Sequence, residues 1–407
     1  MAKMAAMICL GLCCLWSACA PPPDAPPDYA SLFSQDRVGV WELQLESEAW
    51  LSLLTQPQVY VPADLWIDGE AFEQIGLRIM GDALEAKPSL RIRFDAFRPG
   101  LTHCGVKRIN LRSTASDPSQ VREVAAAEIL RKVGLPAPRA ALAQVWLDGV
   151  GPGLYTLVEQ VDRKFLVDRF GEKDGSLVKL EPGGALQDQG DSLNVLAYEF
   201  KGDETPPDPE GLLQFIQVLG RTPGERLEEV LPQWVDLEGS LRLWAVLAWM
   251  SELDSYLGTG DNLYLYRRAS GRYVPIPWDL NRAFANYHGA SCGLSTDALL
   301  DLDPMEPTCG ARPLEVEAWR QRYRDELESL MDGPLAPESV EPILDRWHGL
   351  AAEAAAQDAL SEFSPEEFSR ALEEDIPAGD NPRRVPGLKT VVRWRDAWIR
   401  ARLAGGG

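Results

Sequence analysis

Hydrophobic and polar residues alternate along most of positions 38–161, which is the period of strands with one buried face. In the run SLRIRF at 89–94 the apolar side chains share one face, and Arg91 and Arg93 share the other. A strand with this pattern packs its apolar face on a core and turns its arginines outward. The pattern predicts a β-rich N-terminal part.

One helix interrupts this strand pattern. The apolar spacing becomes helical over 121–133, and Asp117-Pro118 predicts a capping residue followed by a first-turn proline. Strand patterns return over 140–147 and 153–161. We therefore expect a β-rich unit over residues 38–161 that contains one helix.

Beyond residue 161 the pattern is mainly helical. Apolar spacing typical of helices occurs over 162–170, 211–219, 237–253, 314–331, 337–356, 365–374 and 388–403. A single hairpin is predicted over 262–276. The predicted fold class is therefore α+β, with a mainly α-helical C-terminal part over residues 162–407.

The N-terminus has the composition of an export signal. An apolar run follows Lys3, and residues 1–18 are predicted to be a signal peptide. The run ends in WSAC and resembles the lipobox of bacterial lipoproteins, which predicts lipidation of Cys19. Trp16 replaces the usual leucine, so cleavage and secretion without lipid remains an alternative. We expect an exported protein of the bacterial cell envelope, with a Pro-rich linker over 19–37 and membrane contact only through the anchor.

The charge of the chain excludes some partners. The formal net charge is −22 and the pI is about 4.6, which disfavours binding to nucleic acid.

The chain has only three histidines and no CxxC pair, which argues against a zinc site. Export permits disulfides, and a Cys292–Cys309 pair closing a short loop is predicted, while Cys104 stays unassigned.

Three polar side chains are predicted to meet at the hairpin. A two-residue turn at Ser270-Gly271 would place Asn262 opposite Asp279, and Asp254 lies in the loop that enters the hairpin. In kinases, one Asp orients the attacking hydroxyl while an Asn and a second Asp bind Mg²⁺ on the nucleotide phosphates. In the alternative interpretation Asp254 is an ordinary turn residue and Asp279 caps a helix.

Five sequence blocks in one order resemble the spore coat protein H kinase family. They are IGLRIMGDALEAKPSLRIRF (75–94), VREVAAAEILRKVGLPAPR (121–139), DGVGPGLYTLVEQVDRKFL (148–166), LDSYLGTGDNLYLYRR (253–268) and GRYVPIPWDLNRAF (271–284). The resemblance implies a two-lobed, atypical protein-kinase-like fold. It also implies binding of ATP with Mg²⁺ and phosphorylation of Ser or Thr in a protein substrate.

The resemblance assigns roles to the three polar residues at the hairpin. Asp279 would hold Mg²⁺ with help from Asn262, and Asp254 would lie at the phosphoryl acceptor. Lys179 and Arg282 are further candidates for phosphate contact, although each is equally an ordinary surface charge.

Other roles fall in the β-rich part. Lys87 resembles the lysine that holds the nucleotide phosphates, and a carboxylate of the 121–133 helix, Glu128 in preference to Glu123, would pair with it. Residues Glu159 to Val161 would connect the lobes and meet the adenine. An ordinary solvated lysine is the alternative for Lys87.

Departures from the family pattern leave other functions open. Met80-Gly81 stands where the family often has Arg-Gly, and Asn281 stands where a second acidic residue is frequent. ATP is also scarce outside the cytoplasmic membrane. A noncatalytic lipoprotein that binds a partner, or a nucleotidyl transferase on the same fold, therefore remains an alternative.

Overall fold

The computed structural model describes residues 29–81, 86–203, 205–285, 312–377 and 384–405. The strands are β1 (Val38–Gln44), β2 (Val61–Ile67), β3 (Glu70–Met80), β4 (Ser89–Arg93), β5 (Arg108–Ser113), β6 (Ala140–Leu147), β7 (Val150–Glu159), β8 (Ser176–Leu180), β9 (Tyr198–Phe200), β10 (Leu263–Arg267), β11 (Tyr273–Pro277), β12 (Ile376–Pro377) and β13 (Arg384–Val385). The α-helices are α1 (Ser47–Thr55), α2 (Arg122–Lys132), α3 (Arg163–Phe170), α4 (Pro209–Arg221), α5 (Gly224–Val230), α6 (Leu237–Trp249), α7 (Glu317–Met331), α8 (Pro337–Ala356), α9 (Pro365–Arg370) and α10 (Leu388–Gly405). The predicted mixed α+β class is confirmed.

The first seven strands form a closed barrel. Their order is β1-β2-β3-β4-β5-β7-β6, and a parallel pairing of β6 with β1 closes it. Leu90, Ile92 and Phe94 are fully buried, as the alternation of the SLRIRF run predicts, so Arg91 faces outward. Closure of the barrel was not predicted from the sequence, and the kinase-like two-lobed arrangement stays a prediction.

Helix α2 packs on the outside of the barrel. It lies against β6 and β7, whose residues are therefore buried on both faces. The predicted cap at Asp117 is wrong, because the helix begins at Arg122. Asp117 instead accepts a 2.9 Å hydrogen bond from the Arg122 backbone N–H and a 3.0 Å bond from the Ser119 backbone N–H, which folds the chain ahead of the helix.

The prediction of one helix within 38–161 is also wrong. Helix α1 follows β1, with Ala49 and Leu53 buried four residues apart on one face.

A second, four-stranded sheet links the barrel to the C-terminal helices. Its order is β11-β10-β8-β9, so the predicted hairpin is joined by two short strands that were not predicted. Val178, Leu180 and Leu265 are buried in the helical core. Lys179 pairs with Glu199 on one side and Tyr264 on the other, so these three side chains share the opposite, polar face.

The predicted register of the hairpin is wrong by one residue. Leu263 pairs with Pro277, which places Asn262 opposite Trp278 rather than Asp279. Arg268 pairs with Arg272 across a three-residue loop that ends at Gly271, whose φ is 86°. The left-handed glycine permits this longer turn and shifts the register.

The C-terminal helices form the remaining core. Helix α6 is almost completely buried and packs against α7, while α8 packs against α2 and α10. In the part of the chain that the structure describes, every helix is too short or too polar to cross a lipid bilayer.

Candidate active site

A large cleft lies between the barrel and the second sheet. It has a volume of about 860 Å³, within the range typical of small-molecule sites. Strands β3, β4 and β5 form one wall, strands β8, β9 and β10 form the other, and residues 278–282 lie at one end. Asp279 lies in this cleft, as the sequence interpretation requires of a metal ligand.

Among the described residues, the cleft lining carries more positive than negative charge. Six cationic side chains of those residues line it, against four carboxylates. The cations are Arg78, Arg91, Arg112, Lys179, Lys201 and Arg282. A net positive cleft in a chain of net charge −22 favours a small anionic ligand.

Asp279 belongs to a buried charge network. The guanidinium of Arg112, on β5, donates a hydrogen bond to the Asp279 carboxylate and lies 3.7 Å from Glu123 on α2. The Leu280 backbone N–H donates to Glu123. The barrel, the outer helix and the segment after the hairpin therefore meet at Asp279.

The three residues predicted from the hairpin lie together, in an arrangement that differs from the predicted one. The Asn262 side-chain amide donates a 2.8 Å hydrogen bond to the Asp254 carbonyl oxygen, and the Trp278 backbone N–H donates to the Asn262 carbonyl at 3.1 Å. Asn262 and Asp279 both have left-handed backbone, with φ of 53° and 57°. Such strained positions cluster at functional sites, and the short polar side chains of Asn and Asp tolerate them.

Carboxyl groups crowd one another around Asp279, although Asp254, Glu252 and Glu123 are absent from the cleft lining. Burial, with the negative charges of Asp279 and Asp261, raises the pKa of Asp254 to about 6. Burial beside Asp254 and Asp279 raises the pKa of Glu252 well above its ordinary value. Burial raises the pKa of Glu123 to about 7, against the attraction of Arg112. Burial thus favours the neutral form of these acidic groups, and a cation bound beside them would favour the charged form.

Several oxygens here lack a hydrogen-bond partner within the described ranges. They are Glu123 Oε2, Glu252 Oε2 and Asn281 Oδ1, and all three are buried. Unpartnered buried oxygens are costly, and oxygen is the ligand that Mg²⁺ requires. No group of three His, Cys, Asp or Glu side chains in those ranges is arranged to hold a metal ion. The donor set fits a divalent cation only if the amide oxygen of Asn281 or Asn262 contributes.

Comparison with known proteins assigns the family. The model of the family described as CotH kinase protein matches residues 77–399, a range that includes both walls of the cleft and residues 254–282. The chain belongs to the CotH kinase protein family. A curated relative of this CotH chain is the inner spore coat protein H of Bacillus subtilis (strain 168), which is 24% identical over 278 residues, or 66% of this chain and 74% of the relative. The resemblance drawn from the five sequence blocks is confirmed.

Lys87 of this CotH chain is buried, so the alternative of an ordinary solvated lysine is wrong. It is 1% exposed, and its Nζ lies 2.5 Å from Asp358 Oδ2 and 2.8 Å from Thr114 Oγ1. Asp358 follows α8 and also accepts a 3.1 Å hydrogen bond from the Leu154 backbone N–H. The lysine therefore joins the barrel to the C-terminal helices, and it is absent from the cleft lining.

The expected pairing of Lys87 with Glu128 is wrong. Glu128 accepts hydrogen bonds from Arg346 and from Trp347 Nε1, the latter at 2.7 Å, and so ties α2 to α8. Glu123, which the sequence interpretation favoured less than Glu128, lies near Asp279. The two glutamates are five positions apart on a helix, so they point in different directions.

Glu159 and Val161 lie at the connection from β7 to α3, as predicted, but both are buried outside the cleft lining. Glu159 accepts a 2.7 Å hydrogen bond from the Arg139 backbone N–H and another of 2.7 Å from the Arg169 guanidinium. Between them, Gln160 donates to Tyr264 OH at 3.4 Å, and Tyr264 lines the cleft. A role for this connection in contacting adenine stays a prediction.

Sequence reasoning missed part of the site. Arg112 and Glu252 were not predicted, although Arg112 stands on a strand and Glu252 lies two residues before Asp254. Cys19, Cys292 and Cys309 lie outside the described residues, so lipidation and the disulfide stay predictions.

Proposed function

We propose that this chain is an exported CotH-type kinase that transfers a phosphoryl group from Mg-ATP to Ser or Thr of a protein substrate. The match to the CotH kinase protein family over residues 77–399 is the observation that carries the proposal. The cationic cleft that ends at Asp279 supports it, because a nucleoside triphosphate is a small polyanion of matching charge.

In this proposal the chemistry is divided between Asp279 and Asn281, which line the cleft, and Asn262 and Asp254, which do not. Asp279, Asn281 and Asn262 would supply oxygens to Mg²⁺, which would neutralise charge on the nucleotide phosphates. Asp254, with a pKa raised to about 6, accepts the proton of the substrate hydroxyl or orients that hydroxyl. Arg112 pairs with Asp279 and lies 3.7 Å from Glu123, so its positive charge offsets the repulsion between these two carboxylates.

Export of the protein belongs to the same proposal. It rests on the apolar N-terminal run that ends at Cys19, and on a relative that is named as a spore coat protein. Lipid anchoring at Cys19 places the kinase in the bacterial cell envelope.

A noncatalytic binding protein is the second candidate. It is favoured by the ion pair between Arg112 and Asp279, in which a cationic side chain already occupies the carboxylate that would bind Mg²⁺. Here the cleft would bind an anionic partner without transferring a phosphoryl group.

Transfer of γ-labelled phosphate from ATP to protein tests the proposal. We expect Mg²⁺-dependent labelling of Ser or Thr in a generic protein substrate or in the chain itself, and its loss in Asp279→Ala. Asp191→Ala, at a carboxylate with a 91% exposed side chain, is the matched control and should retain activity. A mass gain of a whole nucleotide would instead indicate nucleotidyl transfer, and no transfer by the wild type would favour the binding protein.

A further inference from the structure

Arg91 is one of the described cations that line the cleft. Strand β4 turns Leu90 and Ile92 into the barrel, so Arg91 is directed into the cleft. Its Nε donates a 2.8 Å hydrogen bond to Asn110 Oδ1. Among the described residues no carboxylate forms an ion pair with Arg91, so this guanidinium retains donors for an incoming anion.

Two lysines approach Arg91 from the opposite wall. Lys179 on β8 and Lys201, which directly follows β9, lie on the polar face of the second sheet. Lys179 lies 2.7 Å from Glu181, and Lys201 pairs with Glu199. Within the described ranges each lysine thus forms one ion pair with a carboxylate, and Arg91 adds a positive charge that forms no ion pair.

The electrostatics indicate that these cations are close to one another. Burial lowers the pKa of Lys201, and the positive charges of Arg91 and Lys179 lower it further, against the attraction of Glu199. Burial lowers the pKa of Arg91, and the charge of Arg78 acts in the same direction, against the attraction of Tyr264 and Glu199. Like charges held together in a cleft are unfavourable until an anion enters between them.

We propose that Arg91, Lys179 and Lys201 form the polyphosphate subsite of the cleft, in place of the buried Lys87. This inference rests on the proposed function for the identity of the nucleotide, but the subsite itself requires only a polyphosphate. Arg91 presents a planar fork to two phosphate oxygens, and the two lysines act as point charges from the facing sheet.

The chain offers a matched control two residues away. Arg93 lies on the same strand and the same outward face as Arg91, but its Nε is 2.8 Å from Asp95 Oδ1 and it does not line the cleft. Arg91→Gln and Arg93→Gln therefore remove the same charge from neighbouring positions, and only one of them removes it from the cleft.

Binding of inorganic tripolyphosphate, Mg-ATP and AMP is measured by calorimetry for the wild type, Arg91→Gln, Lys201→Gln and Arg93→Gln, with melting temperatures recorded for each. We expect Arg91→Gln and Lys201→Gln each to weaken tripolyphosphate and ATP about tenfold or more, and AMP less, because charge-assisted hydrogen bonds to phosphate are lost. Arg93→Gln should stay within about twofold of the wild type, and Arg91→Lys should restore part of the affinity.

The outcomes separate this inference from the kinase proposal. Unchanged affinity for ATP and tripolyphosphate in a folded Arg91→Gln overturns the subsite, even if the kinase reaction is real. If Arg91→Gln selectively loses tripolyphosphate binding and the wild type transfers no phosphoryl group, the subsite is supported and the kinase proposal is overturned. A wild type that binds neither compound overturns the subsite as well.

Discussion

Replacement of Lys87 by methionine separates a structural lysine from a nucleotide ligand. Methionine keeps most of the aliphatic stem but removes the charge that faces Asp358, and both side chains are 0% exposed. Breaking a buried ion pair from one side costs about 3–5 kcal/mol, because the remaining charge is left uncompensated. That is a large share of the roughly 5–15 kcal/mol by which proteins are stable.

Equilibrium unfolding in urea, followed by the fluorescence of the chain's 13 tryptophans, measures this cost. Lys87→Met should lower the free energy of unfolding by about 3–5 kcal/mol. The double variant Lys87→Met/Asp358→Asn should lose less than the sum of the single variants, with a coupling of about 1 kcal/mol or more.

Lys107→Met is the control for this experiment. Lys107 Nζ lies 3.0 Å from Asp95, but the lysine side chain is 58% exposed, so its loss should cost less than about 1 kcal/mol. The reasoning is refuted if Lys87→Met is no more destabilising than Lys107→Met. If Lys87→Met is no more destabilising than Lys107→Met and also lowers the affinity for ATP, Lys87 is the nucleotide ligand that the family resemblance implies.

Three further predictions follow from buried groups. The side chain of Arg122 is fully buried and donates hydrogen bonds of 2.8 Å to the carbonyls of both Ala283 and Phe284. Arg122→Met should therefore lower the free energy of unfolding by about 3 kcal/mol or more. A urea midpoint equal to that of the wild type would contradict this. Glu128→Gln should leave the calorimetric ATP affinity within about twofold of the wild type, since Glu128 binds Arg346 and Trp347 outside the cleft; a tenfold loss would restore its predicted nucleotide role. Burial lowers the pKa of His348 below 6.5, so its neutral form contributes stability above pH 6.5 that is lost as the pH falls through the folded-state pKa. Between pH 7.5 and 5 the melting temperature of His348→Phe should therefore fall less than that of the wild type. An equal fall in the two proteins would exclude this role.

The sequence predicted the elements of this fold that local pattern determines. The alternation in SLRIRF correctly indicated which face of β4 is buried, and the helical spacing gave α8 its observed bounds of Pro337–Ala356. Strands β8 and β9 were missed because they are short, and because β9 pairs only with β8 while β8 pairs with the distant hairpin strand that begins at Leu263. Strand pairing over such separations leaves no mark in the local pattern.

The candidate site was predicted in part for the same reason. Asp254, Asn262 and Asp279 are close in sequence, and their proximity survived an error of one residue in the hairpin register. The partners that distinguish a structural residue from a functional one are distant in sequence. Lys87 meets Asp358 from 271 positions away, and Arg112 meets Asp279 from 167 positions away, so composition and spacing could not assign either pair.

Calorimetry of Mg-ATP binding to the wild type and to Asp279→Asn tests most directly whether the cleft is a nucleotide site. We predict saturable ATP binding by the wild type that weakens at least about tenfold when Mg²⁺ is removed, and the same loss in Asp279→Asn with Mg²⁺ present. Equal ATP affinity in the two proteins, with and without Mg²⁺, would contradict the assignment of Asp279 to the cation and the cleft to the nucleotide.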